Sequence, residues 1–276
     1  MNLTYALGRS QFARAPPILA AGALRMATAR FRIDPGLGAF LSPARRGAPF
    51  DYACARAATL KNALEALGIP HTEIARVCVN GAEATLDRIV RDGDQVEVRG
   101  WAAEDAVQWA PRLEFVADAH LGALARFLRM LGFDTVHHNE LSDEAIRKLA
   151  AESARIVLTR DRELLKCREI AVGAYVRALD PARQLGETVA RFRLAAHARP
   201  FTLCLRCNVA LTPASKASVL DRLPAQVARI HEAFYRCPAC ERIYWPGSHY
   251  ARMREALARM LQGADAQPLP GLPFPT

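Results

Sequence analysis

Short apolar runs alternate with amphipathic segments of helical length between residues 113 and 194. This alternation predicts a parallel α/β sheet, because parallel strands are joined by helices that cover the sheet. Three of the apolar runs are followed by an aspartate, at Asp118, Asp161 and Asp180. In such a sheet the carboxyl ends of the strands border one crevice, in which ligands bind. The pattern therefore predicts a cluster of carboxylates at one edge of the sheet.

The helix boundaries give some acids a second role. Ser142 is a good N-cap, and it places Asp143 and Glu144 in the first turn of the helix that follows. Acids in that position also stabilise the helix dipole, so a purely structural role stays open for both. Asp180 precedes Pro181, a favoured first residue of helices, and is equally suited to capping that helix.

Carboxylates brought to one crevice repel each other unless a cation lies among them. Hard oxygen ligands suit Mg²⁺ or Mn²⁺, so the pattern predicts a metal-dependent site for phosphoryl transfer, most simply a nuclease. Asp118 and Asp161 are the expected direct ligands, with Asp143 or Glu144 acting through water. Thr159 is expected to position Asp161 or a phosphate, or to serve only as a strand residue.

The cysteines predict a second metal site. Four of the seven cysteines form the pairs CLRC and CPAC. Two such knuckles make a closed tetrahedral Zn²⁺ site, which is structural because no position stays open for water. The rival interpretation is a redox dithiol, which seldom occurs as two matching pairs. Paired CxxC motifs without a disulfide framework predict a reducing, cytoplasmic location. The zinc ligands are Cys204, Cys207, Cys237 and Cys240.

Charge is distributed unevenly along the 276 residues, whose formal net charge is +9. Residues 191–262 carry 12 Lys and Arg against 4 Asp and Glu, a net charge of +8, whereas residues 113–190 carry 11 against 12. A basic module beside an acidic crevice favours a polyanionic substrate such as nucleic acid, although an Arg-rich surface alone gives the same count. The candidate RNA-binding residues are Arg126, Arg160, Arg162, Arg206, Arg242 and His249.

The stretches FVAD, LGALARFLRMLGFDT, SDE and LTRDREL are followed by CLRC, CPAC and YWPGSHYARM. In this order they resemble the Mut7-C family, a PIN-like nuclease domain with a zinc ribbon. The resemblance implies a metal-dependent ribonuclease with three or four acids. By position, Asp118 matches the acid after the first strand, Asp143 or Glu144 the acid of the second helix, and Asp161 the acid of the TxD turn. Asp180 is the candidate for the fourth acid.

The N-terminal segment predicts a β-grasp domain over residues 27–100. Its order is strand, strand, helix, strand, strand, with a hairpin turn at Asn80-Gly81. It resembles the ubiquitin-like module that is often fused to Mut7-C domains and the small sulfur carriers, which end in a free Gly-Gly. Here Gly100 continues into Trp101, which favours a docking or RNA-contacting module over a carrier.

The chain is therefore predicted to be α/β, with a PIN-like parallel sheet, a C-terminal zinc ribbon and an N-terminal β-grasp domain. The alternatives are a non-catalytic RNA- or protein-binding module with a PIN-like shell, and a phosphatase or phosphoacceptor built on one aspartate. RNA and a protein bound by the β-grasp domain are the expected partners, and no apolar stretch is long enough for a membrane span. The predicted divisions are 1–26 as a disordered or over-long start, 27–100 as the β-grasp domain, 101–112 as a linker, 113–195 as the nuclease domain, 196–262 as the ribbon with a final helix, and 263–276 as a disordered tail.

Overall fold

The computed structural model describes residues 26–102 and 112–261. The predictions for residues 1–25, for most of the linker and for the tail from residue 263 lie outside the described residues. Across the described ranges, no helix combines the length and the apolar character needed to cross a bilayer.

The N-terminal domain is a five-stranded sheet with one α-helix on it. The first and the last strand of this domain are adjacent and parallel, and the other pairings are antiparallel. This is the arrangement of a β-grasp fold, and the sheet order is β2-β1-β5-β3-β4. The elements are β1 (Thr28–Ile33), β2 (Phe50–Ala53), α1 (Leu60–Ala66), β3 (Ile74–Val79), β4 (Ala82–Ala84) and β5 (Gln95–Gly100).

Local signals in the sequence set the turns of this domain. Asn80 and Gly81 have φ angles of 53° and 80° and form the predicted two-residue turn between β3 and β4, where Val79 pairs with Ala82. A turn with two positive φ angles matches the right-handed twist of the strands, which is why Asn-Gly is favoured there. The turn also adds the short strand β4 at the edge of the sheet.

The central domain is a four-stranded sheet in which every pairing is parallel, with the order β7-β6-β8-β9. Its strands are short and mostly buried, because helices cover both faces. All strands run in one direction, so their carboxyl ends meet at one edge, as predicted. The elements are β6 (Phe115–Ala117), α2 (Gly122–Met130), β7 (Thr135–Val136), α3 (Asp143–Ser153), β8 (Ile156–Thr159), β9 (Gly173–Tyr175) and α4 (Pro181–Phe192).

The connection between β8 and β9 differs from the sequence-based expectation. The pattern of residues 162–167 predicts a helix, but the chain makes only one 3₁₀ turn at Leu164–Lys166. Cys167 is already extended, with φ −63° and ψ 136°. The chain leaves the turn there, and Ile170 then packs into the core beside β9. Tertiary packing therefore overrides the local helical pattern.

The C-terminal region carries the cysteine pairs and returns to the core of the central domain. Leu257 in its last helix is fully buried and belongs to the same hydrophobic cluster as β6, α2 and α4. The ribbon and the parallel domain therefore share one core. The elements are β10 (Thr212–Ala214), α5 (Lys216–Val219), α6 (Ala225–Ile230), β11 (Phe234–Arg236), β12 (Ile243–Tyr244) and α7 (Ser248–Leu261).

Candidate functional site

Asp118 and Asp161 lie at the carboxyl edge of the parallel sheet and are joined by one side chain. The parallel register pairs Ala117 with Leu158, which brings Asp118 beside Thr159. The Thr159 hydroxyl donates to Asp118 Oδ2 at 2.7 Å and accepts the backbone N–H of Asp161 at 2.9 Å. Thr159 is fully buried, so this link between the two acids is protected from water. The structure therefore brings the two predicted direct ligands to one place.

The turn that follows β8 orients Asp161. One of its carboxylate oxygens accepts the backbone N–H groups of Glu163 at 2.7 Å and Leu164 at 3.3 Å. These bonds start the 3₁₀ turn, since an aspartate side chain readily mimics the missing backbone acceptors. Asp161 is exposed and Asp118 is half-buried. Both carboxylates thus combine a fixed geometry with access from solvent.

Asp143 and Glu144 start the helix that leaves the same edge. Ser142 caps α3 as predicted, with its hydroxyl accepting the Ala145 N–H at 3.3 Å, and both acids are exposed. Asp143 is the first residue of α3, which follows the carboxyl end of β7, so topology places it at the same edge as Asp161.

Asp180 plays the capping role that its position before Pro181 allows. Its Oδ1 accepts the N–H of Arg183 at 3.0 Å at the start of α4. The side chain is exposed, beyond the carboxyl end of β9. Topology places it at the same edge as the other acids.

The acids of this edge are more widely spread than the cysteines. In the part of the chain that the structure describes, the four cysteines are the one group of three or more potential ligands whose atoms all lie within 4.8 Å of one another. The edge nevertheless offers carboxylate oxygens beside a hydroxyl, which is the donor chemistry that Mg²⁺ and Mn²⁺ prefer. Asp118 and Asp161 fit such an ion by the type of their donors.

The two cysteine pairs adopt the same local backbone fold. In the first pair, Cys204 donates its N–H to the carbonyl five residues ahead and accepts the N–H of Asn208 on its own carbonyl. Cys237 does the same with the carbonyl of Arg242 and the N–H of Glu241. Asn208 and Glu241 both have φ near 60°. In each pair the second cysteine donates its N–H to the sulfur of the first, at 3.4 and 3.5 Å. These are matching knuckles.

The four sulfur atoms converge with the spacing of a zinc site. The Sγ atoms of Cys204 and Cys240 are 3.7 Å apart, and a tetrahedron with Zn–S bonds of about 2.3 Å has S···S distances of about 3.8 Å. The Tyr244 hydroxyl and Cys204 Sγ form a hydrogen bond at 3.1 Å. Burial acts to raise the pKa of Cys204, but this bond and backbone N–H groups outweigh it, and the pKa falls to about 6. The residues fit a closed, structural Zn²⁺ site.

Two polar side chains attach the first knuckle to the parallel sheet. Asn208 accepts the N–H of Thr135 on its Oδ1 at 2.9 Å and donates its Nδ2 to Asp134 at 2.6 Å. The Arg129 guanidinium donates to the carbonyls of Leu205 and Arg206, both at 3.1 Å. Arg129 lies off the apolar stripe of its helix in the sequence, yet it is only 6% exposed. Helical periodicity does not predict that this arginine is buried against the first knuckle.

Arg160 and Arg162, both predicted to bind RNA, are engaged within the protein. Arg160 Nη1 donates to three carbonyls of the segment after β9, at 2.6 to 3.3 Å. Arg162 donates to the carbonyl of Ala39 in the β-grasp domain at 3.1 Å. Its guanidinium also lies 5.1 Å from the ring centre of Phe40 and 5.4 Å from that of Tyr175. Both arginines therefore brace the region around Asp161.

The other candidate RNA-binding arginines are exposed and face a common groove. Arg126 on α2 lines it from one side, and Arg206 and Arg242 line it from the ribbon. His249 belongs to α7, and its side chain lies outside the described residues. Of the predicted RNA-binding arginines, Arg160 and Arg162 are therefore bonded within the protein, whereas the other three face the groove.

A parallel sheet with acids at its carboxyl edge, joined to a four-cysteine knuckle pair, defines a PIN-like domain with a zinc ribbon. Residues 113–257 match the family model of the Mut7-C RNAse domain, and residues 26–104 match that of the Mut7-C ubiquitin domain. The chain belongs to the Mut7-C RNAse domain family, which indicates a nuclease-type function. Neither the curated proteins nor the solved structures give a match.

Proposed function

We propose that the protein is a metal-dependent ribonuclease that hydrolyses RNA phosphodiester bonds at the carboxyl edge of the parallel sheet. The observation that carries the proposal is the buried Thr159 hydroxyl, which joins Asp118 and Asp161. This hydroxyl orients the Asp118 carboxylate and holds the backbone of Asp161 beside it, at the edge where parallel α/β sheets bind their ligands. The match to an RNAse domain family supports RNA as the substrate.

Asp118 and Asp161 would hold Mg²⁺ or Mn²⁺ directly, and Asp143 or Glu144 would contribute through water. Such an ion, when bound, lowers the pKa of its water and stabilises charge on the phosphate. Thr159 keeps the Asp118 carboxylate oriented, and the backbone N–H groups of the following turn do the same for Asp161. Asp180 is the remaining acid at this edge.

The zinc ribbon would supply the contact to RNA beyond the reacting phosphate. Residues 191–262 carry a net charge of +8, and four thiolates on Zn²⁺ lower this to about +6, which is still strongly basic. All seven cysteines lie in the described residues and none of them forms a disulfide, which suits a reducing compartment such as the cytoplasm. A protein partner for the β-grasp domain stays a prediction.

The test is cleavage of labelled single- and double-stranded RNA by the zinc-loaded protein with and without Mn²⁺. Asp118→Asn should abolish Mn²⁺-dependent cleavage while thermal unfolding and zinc content stay unchanged. Glu152→Gln is the matched control, because Glu152 is an exposed acid of α3 that pairs only loosely with Lys148 at 3.9 Å. Undiminished cleavage by Asp118→Asn would remove this edge from the chemistry.

The spread of the carboxylates favours a second candidate, a non-catalytic module that keeps the PIN-like shell and binds RNA or protein. That protein would bind RNA yet leave it intact at every Mn²⁺ concentration. The same assay separates the two candidates, because binding and cleavage are recorded on the same labelled RNA.

A further inference from the structure

A large groove separates the parallel domain from the zinc ribbon. Its volume is about 1710 Å³, and its walls are α2, the segment after β7, the first knuckle, α6 and the segment that leads into α7. Small-molecule sites usually have about 300–1,000 Å³. The groove is therefore larger than a small ligand needs, and it has room for part of a polymer.

The charges on the groove are mostly positive. Arg126, Arg206 and Arg242 are exposed on its walls, and Glu140 is the acidic residue among those that line it. Arg129 also lies in the wall, although its guanidinium bonds to knuckle carbonyls. Exposed guanidinium groups on both sides of one groove favour phosphates spaced along a chain.

The part of the groove wall at the start of α2 lies close to the candidate catalytic edge. Asp118 begins the 3₁₀ turn that leads into α2, and Gly122 at the start of α2 already lines the groove. His137 also lines it, and one of its ring nitrogens lies 3.1 Å from the carbonyl of Ala119, the residue after Asp118. The wall of the groove at Gly122 is therefore only four residues from Asp118.

Aromatic side chains distinguish this groove from a purely ionic surface. Tyr244, Trp245 and Tyr250 line it and are all half-buried. Bases of an unpaired strand stack on such rings, whereas the bases of a duplex are already stacked and present mainly phosphates and sugars. The combination of basic and aromatic lining therefore favours a single strand.

We propose that this groove binds a single strand of RNA and leads it from the zinc ribbon towards Asp118. Phosphates lie against Arg126, Arg206 and Arg242, and bases lie against the aromatic side of the groove. The direction of the strand rests on the proposed function, whereas the occupancy of the groove does not.

The experiment measures binding without cleavage. A labelled single-stranded RNA of about 12 nucleotides, its duplex and the single-stranded DNA of the same sequence are titrated with zinc-loaded protein, without added Mg²⁺ or Mn²⁺. The variants Arg126→Gln, Arg206→Gln and Arg242→Gln are compared with Arg168→Gln, whose side chain is 90% exposed and does not line the groove. Zinc content and thermal unfolding show whether each variant is folded, and gel analysis shows that the RNA stays intact.

Each groove variant should weaken binding of single-stranded RNA and lower the slope of log affinity against log salt by about 0.7, the value of one phosphate contact on a single strand. Arg168→Gln should bind as the wild type does, and the duplex should bind more weakly than the single strand. Wild-type affinity in all three groove variants, or tighter binding of the duplex, would overturn the proposal. Asp118→Asn should retain RNA binding. Loss of cleavage in that variant therefore does not test the groove, and unchanged binding in the groove variants does not test the catalytic edge.

Discussion

The carboxylate of Glu73 in the β-grasp domain forms an ion pair with the guanidinium of Arg191 in α4, with 3.0 Å between the charged atoms. Glu73 is 1% exposed. It also pairs with Arg177 at 3.1 Å and accepts the N–H of Tyr175, on the edge strand β9, at 2.9 Å. Nearby, one ring nitrogen of His71 lies 2.9 Å from the carbonyl of Ile170. The two domains are therefore joined through a buried polar interface.

Glu73→Gln should destabilise the protein by about 3 kcal/mol or more, because the substitution leaves the mostly buried charge of Arg191 without a carboxylate partner. Glu97→Gln is the matched control, since Glu97 pairs with Arg32 on the surface at 3.7 Å and such pairs contribute less than about 1 kcal/mol. Urea unfolding of both variants provides the comparison. Equal stabilities for the two would mean that the interface contributes little.

Thr159→Val should raise the Mn²⁺ concentration needed for half-maximal cleavage, or lower the rate, by roughly 10- to 100-fold, as the loss of a residue that orients metal ligands usually does. Valine keeps the shape of the buried side chain but cannot bond to Asp118 or to the N–H of Asp161. Thr159→Ser restores the hydroxyl and should recover most of the activity. A Mn²⁺ titration of cleavage checks both variants, and wild-type behaviour of Thr159→Val would contradict the positioning role.

Metal analysis should find one zinc ion per chain. Cys204→Ser should lose it and unfold the ribbon, because a thiolate-bound ion organises a segment that has little core of its own. Cys78→Ser is the control, as Cys78 lies in β3 of the β-grasp domain, and it should retain zinc. Zinc content and limited proteolysis of the two variants are the measurements. Full zinc content in Cys204→Ser would show that the site is not a four-sulfur site.

Gly132→Ala should destabilise the protein clearly more than Gly93→Ala. Both glycines have positive φ angles, 89° and 79°, so both substitutions should cost about 1–2 kcal/mol for the backbone conformation. A Cβ at position 132 would also lie 2.2 Å from the carbonyl oxygen of Arg199, whereas a Cβ at position 93 meets nothing within 4 Å. Thermal unfolding checks the difference, and equal shifts in Tm would mean that the chain after α4 moves aside easily.

Local chemistry in the sequence predicts a large part of this structure. The capping roles of Ser142 and Asp180 follow from residue type and spacing, and so does the turn at Asn80-Gly81. The convergence of the cysteine pairs follows from the geometry that zinc imposes on two CxxC motifs. The common edge of Asp118 and Asp161 follows from the rule that parallel strands end on one side.

The contacts that join separate parts of the chain are not predictable in this way. Glu73 and Arg191 are 118 positions apart, and nothing in the pattern around either residue indicates that they meet. The sequence predicts that Arg162 is a surface cation beside Asp161, yet its guanidinium packs on Phe40 of the β-grasp domain. Such pairs depend on how the domains pack, which hydrophobic periodicity does not contain.

The bonds from Asn208 to the backbone of Thr135 and to Asp134 have a consequence for the whole molecule. The strand β7 is an edge strand of the parallel sheet, and an uncovered edge invites pairing with another chain. The ribbon covers this strand edge. A fragment that stops after α4 would leave the backbone groups of β7 exposed and would tend to self-associate. Loss of zinc would expose the same edge, so the thiolate cluster protects the protein from aggregation and also stabilises the fold.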